Sequence, residues 1–321
     1  PMAKRNRRTR KQKQRDRKRK KGPSPAAADA RTARRLREQG EAALREGRLE
    51  EGVDLLQRAA KGNPQDAVSL RLLASGLRLL GALPEALAAC KRAQRLRPKD
   101  VDVLNELCAI LFLSGEYAEA LAVAEEGLAQ APDHVLLLNN LGMIQSELYQ
   151  HEDAARTFER LLEQSPDHVH ARRNLARVLH SLGRDEEAID AFREALRQQP
   201  DFARAHHDLA VTLIARERYA EALKHLEETL RLRPDFAQAR QNLAIALIAE
   251  GKEAEAQKHM EEALRLQPAD LAYLEVWMKV ASLAETLRAC ERAAQAVPAA
   301  QKGPLLQATA EAYLLHGRVE E

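Results

Sequence analysis

Apolar and polar positions alternate along this chain with two periods, a short one of three to four residues and a long one of 34. Leucines and alanines spaced three or four apart form the single apolar face of an amphipathic α-helix. We number each 34-residue repeat from 1, and the first repeat begins at Ala33. Within each repeat this spacing appears twice, at positions 4, 7, 8 and 11 and again at positions 20, 24 and 27. The pattern therefore predicts a succession of helical hairpins.

Prolines set the long period. Each of them follows the one before by 34 residues: Pro64, Pro98, Pro132, Pro166, Pro200, Pro234 and Pro268. Since proline cannot continue a helix, each one is predicted to end the second helix of a repeat. With the proline at position 32, the first repeat begins at Ala33 and seven repeats extend to Asp270. A period of this length is typical of stacked repeats, which bury their apolar faces against each other.

Small and apolar residues occupy the predicted packing positions. Position 20, where the two helices of a hairpin should approach closely, holds Gly52, Ala86, Ala120, Ala154, Ala188, Ala222 and Ala256. Position 8 is also small, with Gly40, Ala74, Cys108, Gly142, Ala176, Ala210 and Ala244. Position 24 carries Leu56, Cys90, Ala124, Phe158, Phe192, Leu226 and Met260.

The ends of the helices carry their own signals. Position 15 is glycine in five repeats, which predicts a left-handed turn between the two helices: Gly47, Gly81, Gly115, Gly183 and Gly251. Tyr149 and Glu217 depart from this rule. An aspartate follows the proline directly in four repeats and is predicted to cap the next helix: Asp133, Asp167, Asp201 and Asp235.

Taken together, these positions read L-x2-L-[GA]-x2-L … A-x3-[FL] … P, which resembles the tetratricopeptide repeat across residues 33–270. The resemblance implies an all-α fold, a right-handed superhelical solenoid of antiparallel helix hairpins. It also implies a non-catalytic scaffold or adaptor that binds protein partners in its concave groove.

The regular period ends at Pro268. The next helix-ending proline, Pro298, comes after only 30 residues, so residues 271–302 are predicted to form an eighth repeat shortened around Ala281–Ala284. Residues 303–321 are interpreted as an incomplete ninth repeat, and we expect the chain to be part of a longer protein. An alternative function follows, in which this chain is the substrate-recognition region of a larger, glycosyltransferase-like enzyme whose catalytic domain lies beyond residue 321.

The family resemblance implies that positions 2, 5, 6, 9, 12 and 13 face the groove. Positions 5 and 6 then form a polar stripe that includes Asn139, Asn140, Arg173, Asn174, His207, Asp208, Gln241 and Asn242. Asparagine amides can both donate to and accept from an extended peptide backbone, and the stripe is similar to the asparagine ladder of the nucleocytoplasmic O-linked N-acetylglucosamine transferase. Arg173, Arg177 and Arg204 add positive charge that suits an acidic peptide. The alternative is an idle, solvated surface whose asparagines were copied by duplication.

Residues 1–32 are predicted to form a basic, disordered arm. Residues 1–21 hold 13 basic side chains and one acid, a net charge of +12, whereas the remainder of the chain carries −9. The basic residues are Lys4, Arg5, Arg7, Arg8, Arg10, Lys11, Lys13, Arg15, Arg17, Lys18, Arg19, Lys20 and Lys21. Such a segment suits RNA, DNA or another polyanion. A solvated tail, a membrane or targeting signal, and a ribosome- or ribonucleoprotein-associated factor driven by the arm remain alternatives.

Composition narrows the remaining classes. The three cysteines, Cys90, Cys108 and Cys290, form no close pair, which argues against disulfides and zinc and favours the cytoplasm. No apolar run is long enough for a transmembrane helix. No phosphate-binding loop, nucleophile elbow or zinc-protease motif occurs, so no enzyme activity, cofactor or metal is predicted. The histidines are interpreted as surface residues. The sequence gives no indication of the oligomeric state.

Overall fold

The structure is a computed structural model, and it describes residues 25–267, 270–279, 281–296 and 307. Every regular element in these ranges is a helix, which confirms the all-α prediction. The basic residues between Lys4 and Lys21, the prolines Pro268 and Pro298, and the predicted ninth repeat apart from Gln307 lie outside the described residues. The chain divides after Tyr149 into two compact units, which we describe separately.

The first unit contains seven helices within the described part of residues 1–149. In chain order they are α1 (Pro25–Arg45), α2 (Leu49–Gly62), α3 (Ala67–Leu79), α4 (Leu83–Leu96), α5 (Val101–Leu113), α6 (Tyr117–Gln130) and α7 (Val135–Glu147). Each helix packs against the next along the chain, and the first helices of successive repeats, α1, α3, α5 and α7, also contact one another. The unit is therefore a stack of hairpins.

The second unit repeats the arrangement. Its described helices are α8 (His151–Gln164), α9 (Val169–Ser181), α10 (Asp185–Gln198), α11 (Ala203–Ala215), α12 (Tyr219–Leu232), α13 (Ala237–Ala249), α14 (Glu253–Leu266), α15 (Leu271–Trp277) and α16 (Leu283–Ala296). The first helices α9, α11, α13 and α15 again contact their neighbours side by side. Helix α15 has 7 residues, whereas α9, α11 and α13 have 13 each.

Within each unit, the small residues at positions 8 and 20 allow the two helices of a hairpin to touch. Every alanine at position 20 is completely buried. In the first repeat, a Cβ on Gly40 would lie 3.0 Å from the carbonyl oxygen of Gly52, closer than nearly all real contacts of this kind. In the third repeat, the Cys108 thiol lies 3.7 Å from the carbonyl oxygen of Ala120. Backbone therefore approaches backbone here, as the sequence predicted.

The turn at position 15 is left-handed in all seven repeats, whichever residue occupies it. The five glycines have φ between 73° and 78°, and Tyr149 and Glu217 take up φ of 59° and 58°. A left-handed conformation costs a residue with a Cβ roughly 1–2 kcal/mol. Tyr149 and Glu217 therefore depart from the glycine rule in identity but not in conformation.

The predicted aspartate caps are wrong for four repeats. Asp133, Asp167, Asp201 and Asp235 lie one residue before the N-cap, which is held by His134, His168, Phe202 and Phe236. The two histidines cap their helices through Nδ1, which accepts from a backbone N–H at 3.3 Å and 3.1 Å. Where the aspartate comes one residue later, it does cap the next helix, as Asp66, Asp100 and Asp270 show. The N-cap is thus the second residue after the proline, not the first.

The turn conformation leads to a stability prediction with opposite signs at two glutamates. Glu217→Gly should raise the free energy of unfolding by about 1 kcal/mol, because it relieves a left-handed residue. Glu250→Gly should lower it by about 0.5–1 kcal/mol, because Glu250 has a helical φ of −87° where glycine only adds flexibility. Urea unfolding followed by circular dichroism measures both. Equal effects of the same sign would contradict this account of the turn.

Candidate functional site

The predicted stripe residues lie on first helices in both units. Asn139 and Asn140 belong to α7 in the first unit. The second unit holds the others, with Arg173, Asn174 and Arg177 on α9, Arg204, His207 and Asp208 on α11, and Gln241 and Asn242 on α13. We call the surface formed by these three helices the first-helix face of the second unit.

At three places among the described residues, position 5 of one repeat contacts position 6 of the next, and we call each such contact a rung. In the first unit, Asn140 donates to the Oδ1 atom of Asn105 at 3.0 Å. In the second unit, the guanidinium of Arg173 lies 2.6 Å from the carboxylate of Asp208. The next rung joins Asn242 Nδ2 to His207 Nε2 at 3.0 Å. The stripe is therefore partly occupied by bonds between repeats.

The two rungs of the second unit form one network, because His207 and Asp208 are adjacent. His207 Nδ1 lies 3.3 Å from Asp208 Oδ1. If Asn242 donates to Nε2, the imidazole hydrogen is on Nδ1 and is donated to Asp208. Arg173, Asp208, His207 and Asn242 thus connect three helices in sequence. His207 is only 6% exposed, and the side chains of Arg173 and Asp208 are 16% and 17% exposed.

Two phenylalanines that the sequence analysis did not single out cover this network. The Phe236 ring stacks on His207 with 4.7 Å between ring centroids. The Phe202 ring lies 5.9 Å from the Arg173 guanidinium and 4.9 Å from the His170 ring. Both phenylalanines occupy the N-cap position at which other repeats have aspartate or histidine. In a chain with 3% aromatic residues, two "PDF" loops were the signal that could have found them.

Positive charge gathers at the α9–α11 end of the face. Burial lowers the pKa of Arg173, Asp208 opposes that shift, and the nearby Arg177 and Arg204 add to it. Burial also lowers the pKa of His170, assisted by His168, Arg173 and Arg204. Arg177 and Arg204 are exposed. Within the described ranges, no carboxylate comes within salt-bridge distance of either guanidinium.

The other stripe residues have different surroundings. Asn174 is half-buried on α9. Gln241 donates to the backbone carbonyl of Ala272 at 3.1 Å and so reaches α15. Asn139 points its amide nitrogen at the sulfur of Met143, 3.9 Å away. The first unit also differs in surface character, because its first helices expose Leu79, Leu113 and Leu136 by 52%, 51% and 55%.

The prediction that the histidines lie on the surface is wrong for His207, which is buried. It holds only in part for His225, which is half-buried. The Nδ1 atoms of His206 and His225 lie 2.9 Å apart, and His206 Nε2 is 3.0 Å from the carbonyl oxygen of Pro200. Burial lowers the pKa of His225 to about 4, and His206 and Arg193 contribute in the same direction. Within the part of the chain that the structure describes, no three metal-ligating side chains come together. No described helix has the length and apolar character that crossing a membrane requires.

Two family models, both described as tetratricopeptide repeat, match the chain. One covers residues 37–101 and 147–201, and the other covers residues 77–141 and 213–276. Together they include most of the interval from residue 37 to residue 276. No curated protein matches the chain.

Solved structures of similar fold share little sequence with the chain. A tetratricopeptide repeat protein from Parabacteroides merdae is 20% identical, with a TM-score of 0.62 over 77% of this chain and 98% of its own. A chain of the Cut9–Hcn1 hetero-tetramer of the APC/C is 16% identical, with a TM-score of 0.67 over 75% of this chain and 48% of its own. The pilF protein of Pseudomonas aeruginosa is 18% identical, with a TM-score of 0.59 over 68% and 100%. At these identities the likeness shows the fold.

The Arg173–Asp208 rung leads to a prediction about stability. Arg173→Met and Asp208→Ala should each lower the free energy of unfolding by about 2 kcal/mol, because each leaves a largely buried charge without its partner. The double variant should cost less than the two singles combined, by about 1 kcal/mol. The matched control is Arg231→Met, which breaks an exposed pair with Glu228 and should have no measurable effect. Strictly additive single effects would show that the rung is not a stabilising contact.

The His206–His225 pair leads to a prediction about pH. His225 binds a proton near its ordinary pKa of 6.5 when unfolded but only near pH 4 when folded, so folding stability should decline as the pH falls from 6.5 towards 4. His225→Gln should reduce the decline in melting temperature between pH 7.5 and pH 5, and His206→Gln should reduce it less. Circular dichroism melts measure both. An unchanged pH dependence in His225→Gln would assign the decline to other groups.

Proposed function

Because the chain belongs to the tetratricopeptide repeat family, we propose that it is a non-catalytic protein-interaction scaffold whose second unit binds an extended, acidic segment of a partner. The fold supports a role in protein interaction, since proteins of this family bind protein partners. We further propose where the segment binds and through which groups. It binds to α9 and α11, on the first-helix face, through its carboxylates.

One observation carries the proposal, namely the cluster of three guanidiniums of which only one is neutralised. Asp208 pairs with Arg173, while Arg177 and Arg204 stay exposed and raise the positive potential around it. Positive charges held close together repel each other, so an incoming carboxylate removes an unfavourable interaction as well as forming a new one. Arginine is suited to this task because its planar guanidinium can bind a carboxylate through two parallel hydrogen bonds.

The rung network supports the proposal by fixing the position of the face. Arg173 is fixed by Asp208 and by the ring of Phe202, and the adjacent His207 is fixed by Asn242 and Phe236. Side chains that are already ordered lose little conformational entropy when a ligand binds. In this proposal Asn174 and Gln241 donate to or accept from the backbone of the segment, whereas Asn140 and Asn242 act mainly through their rungs.

The proposed compartment is the cytoplasm. Cys90, Cys108 and Cys290 are all free and buried, which suits a reducing environment. Burial raises the pKa of the Cys90 and Cys108 thiols to about 12, so neither is a reactive nucleophile. We assign the chain no reaction, in keeping with the non-catalytic scaffolds that make up most of this family.

The test is the affinity of the full chain for a fluorescein-labelled peptide of alternating glutamate and serine, measured by anisotropy. Arg177→Ala with Arg204→Ala should weaken binding by about three- to tenfold at low salt, and less at high salt, because exposed ion pairs are screened. The basic arm is present in every variant, so its own attraction for the peptide is common to all.

Lys224→Ala with Lys258→Ala is the matched control, since it removes the same charge from exposed positions on the second helices α12 and α14. It should leave the affinity nearly unchanged. If both double variants weaken binding equally, net charge and not the first-helix face attracts the peptide, and the proposal is wrong. A peptide of alternating glutamine and serine should bind weakly to every variant.

A further inference from the structure

A polar cleft opens between α13 and α15, at the far end of the second unit from the arginine cluster. Its volume is about 470 Å³, within the range of about 300–1,000 Å³ that is usual for ligand pockets. Its walls include Asp235, Phe236, Gln241, Asp270 and Tyr273. Arg233 also lines it, but the guanidinium lies over the Phe236 ring, 4.9 Å from the centroid.

Two carboxylates face this space without a basic partner among the described residues. Asp235 is exposed, and no lysine or arginine lies within salt-bridge distance of it. Asp270 uses its Oδ1 atom to cap α15, accepting from the backbone N–H of Ala272 at 3.0 Å, and its Oδ2 atom remains available. Among the described residues that line the cleft, the guanidinium of Arg233 is the one positive charge.

Tyr273 supplies an independent sign of a ligand. Its side chain is 4% exposed and lines the cleft, yet its hydroxyl makes no hydrogen bond to another residue in the described ranges. Burial raises the pKa of Tyr273, and the negative charge of Asp270 raises it further. The hydroxyl is therefore close enough to Asp270 to feel its charge. A hydroxyl without a partner at the wall of an open cleft can donate to a ligand or accept from it.

The walls of the cleft carry two carboxylates and one guanidinium, and further acceptors lie beside the carboxylates. The amide nitrogen of Gln241 donates to the carbonyl oxygen of Ala272, so the Oε1 atom of Gln241 can accept from a ligand. Together with Asp235, Asp270 and the Tyr273 oxygen, this makes a set of acceptors around one space. The ligand class that matches them is a planar cation with several N–H donors, and a guanidinium has five.

We propose that the α13–α15 cleft binds the guanidinium of an arginine side chain, two repeats along from the face that binds carboxylates. This inference rests on the proposed function in one respect, that the arginine belongs to the same partner segment. The partner is then a segment of mixed charge, with acidic residues at α9 and α11 and an arginine at α13 and α15. Such a division fixes the direction in which the segment lies, because the reversed segment would place like charges together.

The experiment uses the full chain with Nα-acetyl-arginine amide and its neutral isostere, Nα-acetyl-citrulline amide, and measures both affinities by ligand-observed NMR titration. The arginine compound should bind at least fivefold more tightly than the citrulline compound. Asp235→Asn with Asp270→Asn should reduce this preference to less than twofold. The fold should survive, because asparagine caps helices as well as aspartate does. Tyr273→Phe should weaken binding of the arginine compound about two- to threefold.

Asp201→Asn with Asp100→Asn is the matched control, since it removes two carboxylates from the same two loop positions in other repeats. It should keep the full preference for arginine. Equal binding of the two compounds to the unaltered chain, or an equal loss of preference in the control, would overturn the inference. Because no acidic peptide is used, a failure of the carboxylate-binding face would leave this result intact, and a failure here would leave that face untouched.

Discussion

Within each unit, everything else depends on the contact of small side chains between the two helices of a hairpin. Alanine or glycine at position 20 meets a small residue at position 8, close enough in the first repeat for one backbone to exclude a Cβ from the other. This distance fixes how the two helices pack, and hence the turn between them. The turn is left-handed even at Glu217, which adopts it at a cost in free energy. Packing therefore overrides local preference.

Once the hairpins are fixed, the first helices of successive repeats within a unit lie side by side, and their polar residues meet. The rungs arise at this level. Asn105 and Asn140 are 35 residues apart, and so are His207 and Asn242. In each rung, the stacking of one repeat on the next determines the partner of the residue at position 5. In the second unit these contacts join into a network that two phenylalanines cover. Largely buried polar side chains are tolerated there because each has a partner.

The consequence for function is a separation between residues that hold the face and residues that remain available to a ligand. Asp208, His207 and Asn242 bond to one another, whereas Arg177 and Arg204 do not have carboxylate partners within the described chain. The same separation recurs at the α13–α15 cleft, where Gln241 holds α15 through one atom and leaves the other to accept. A scaffold built from near-identical repeats can in this way present different chemistry at each end of one unit.

The sequence by itself determined the repeats. A period of 34 residues, with a proline near the end of every repeat and small residues at positions 8 and 20, permits only stacked helical hairpins. It also determined which residues lie on the first helices, since helical periodicity places them on one face. It did not determine the caps, because an aspartate can stand first or second after the proline and only the second position is the N-cap. Nor did it determine the rungs or the cleft. Those depend on side chains from neighbouring repeats meeting at hydrogen-bonding distance, and only the tertiary packing of one repeat on the next decides which atoms meet.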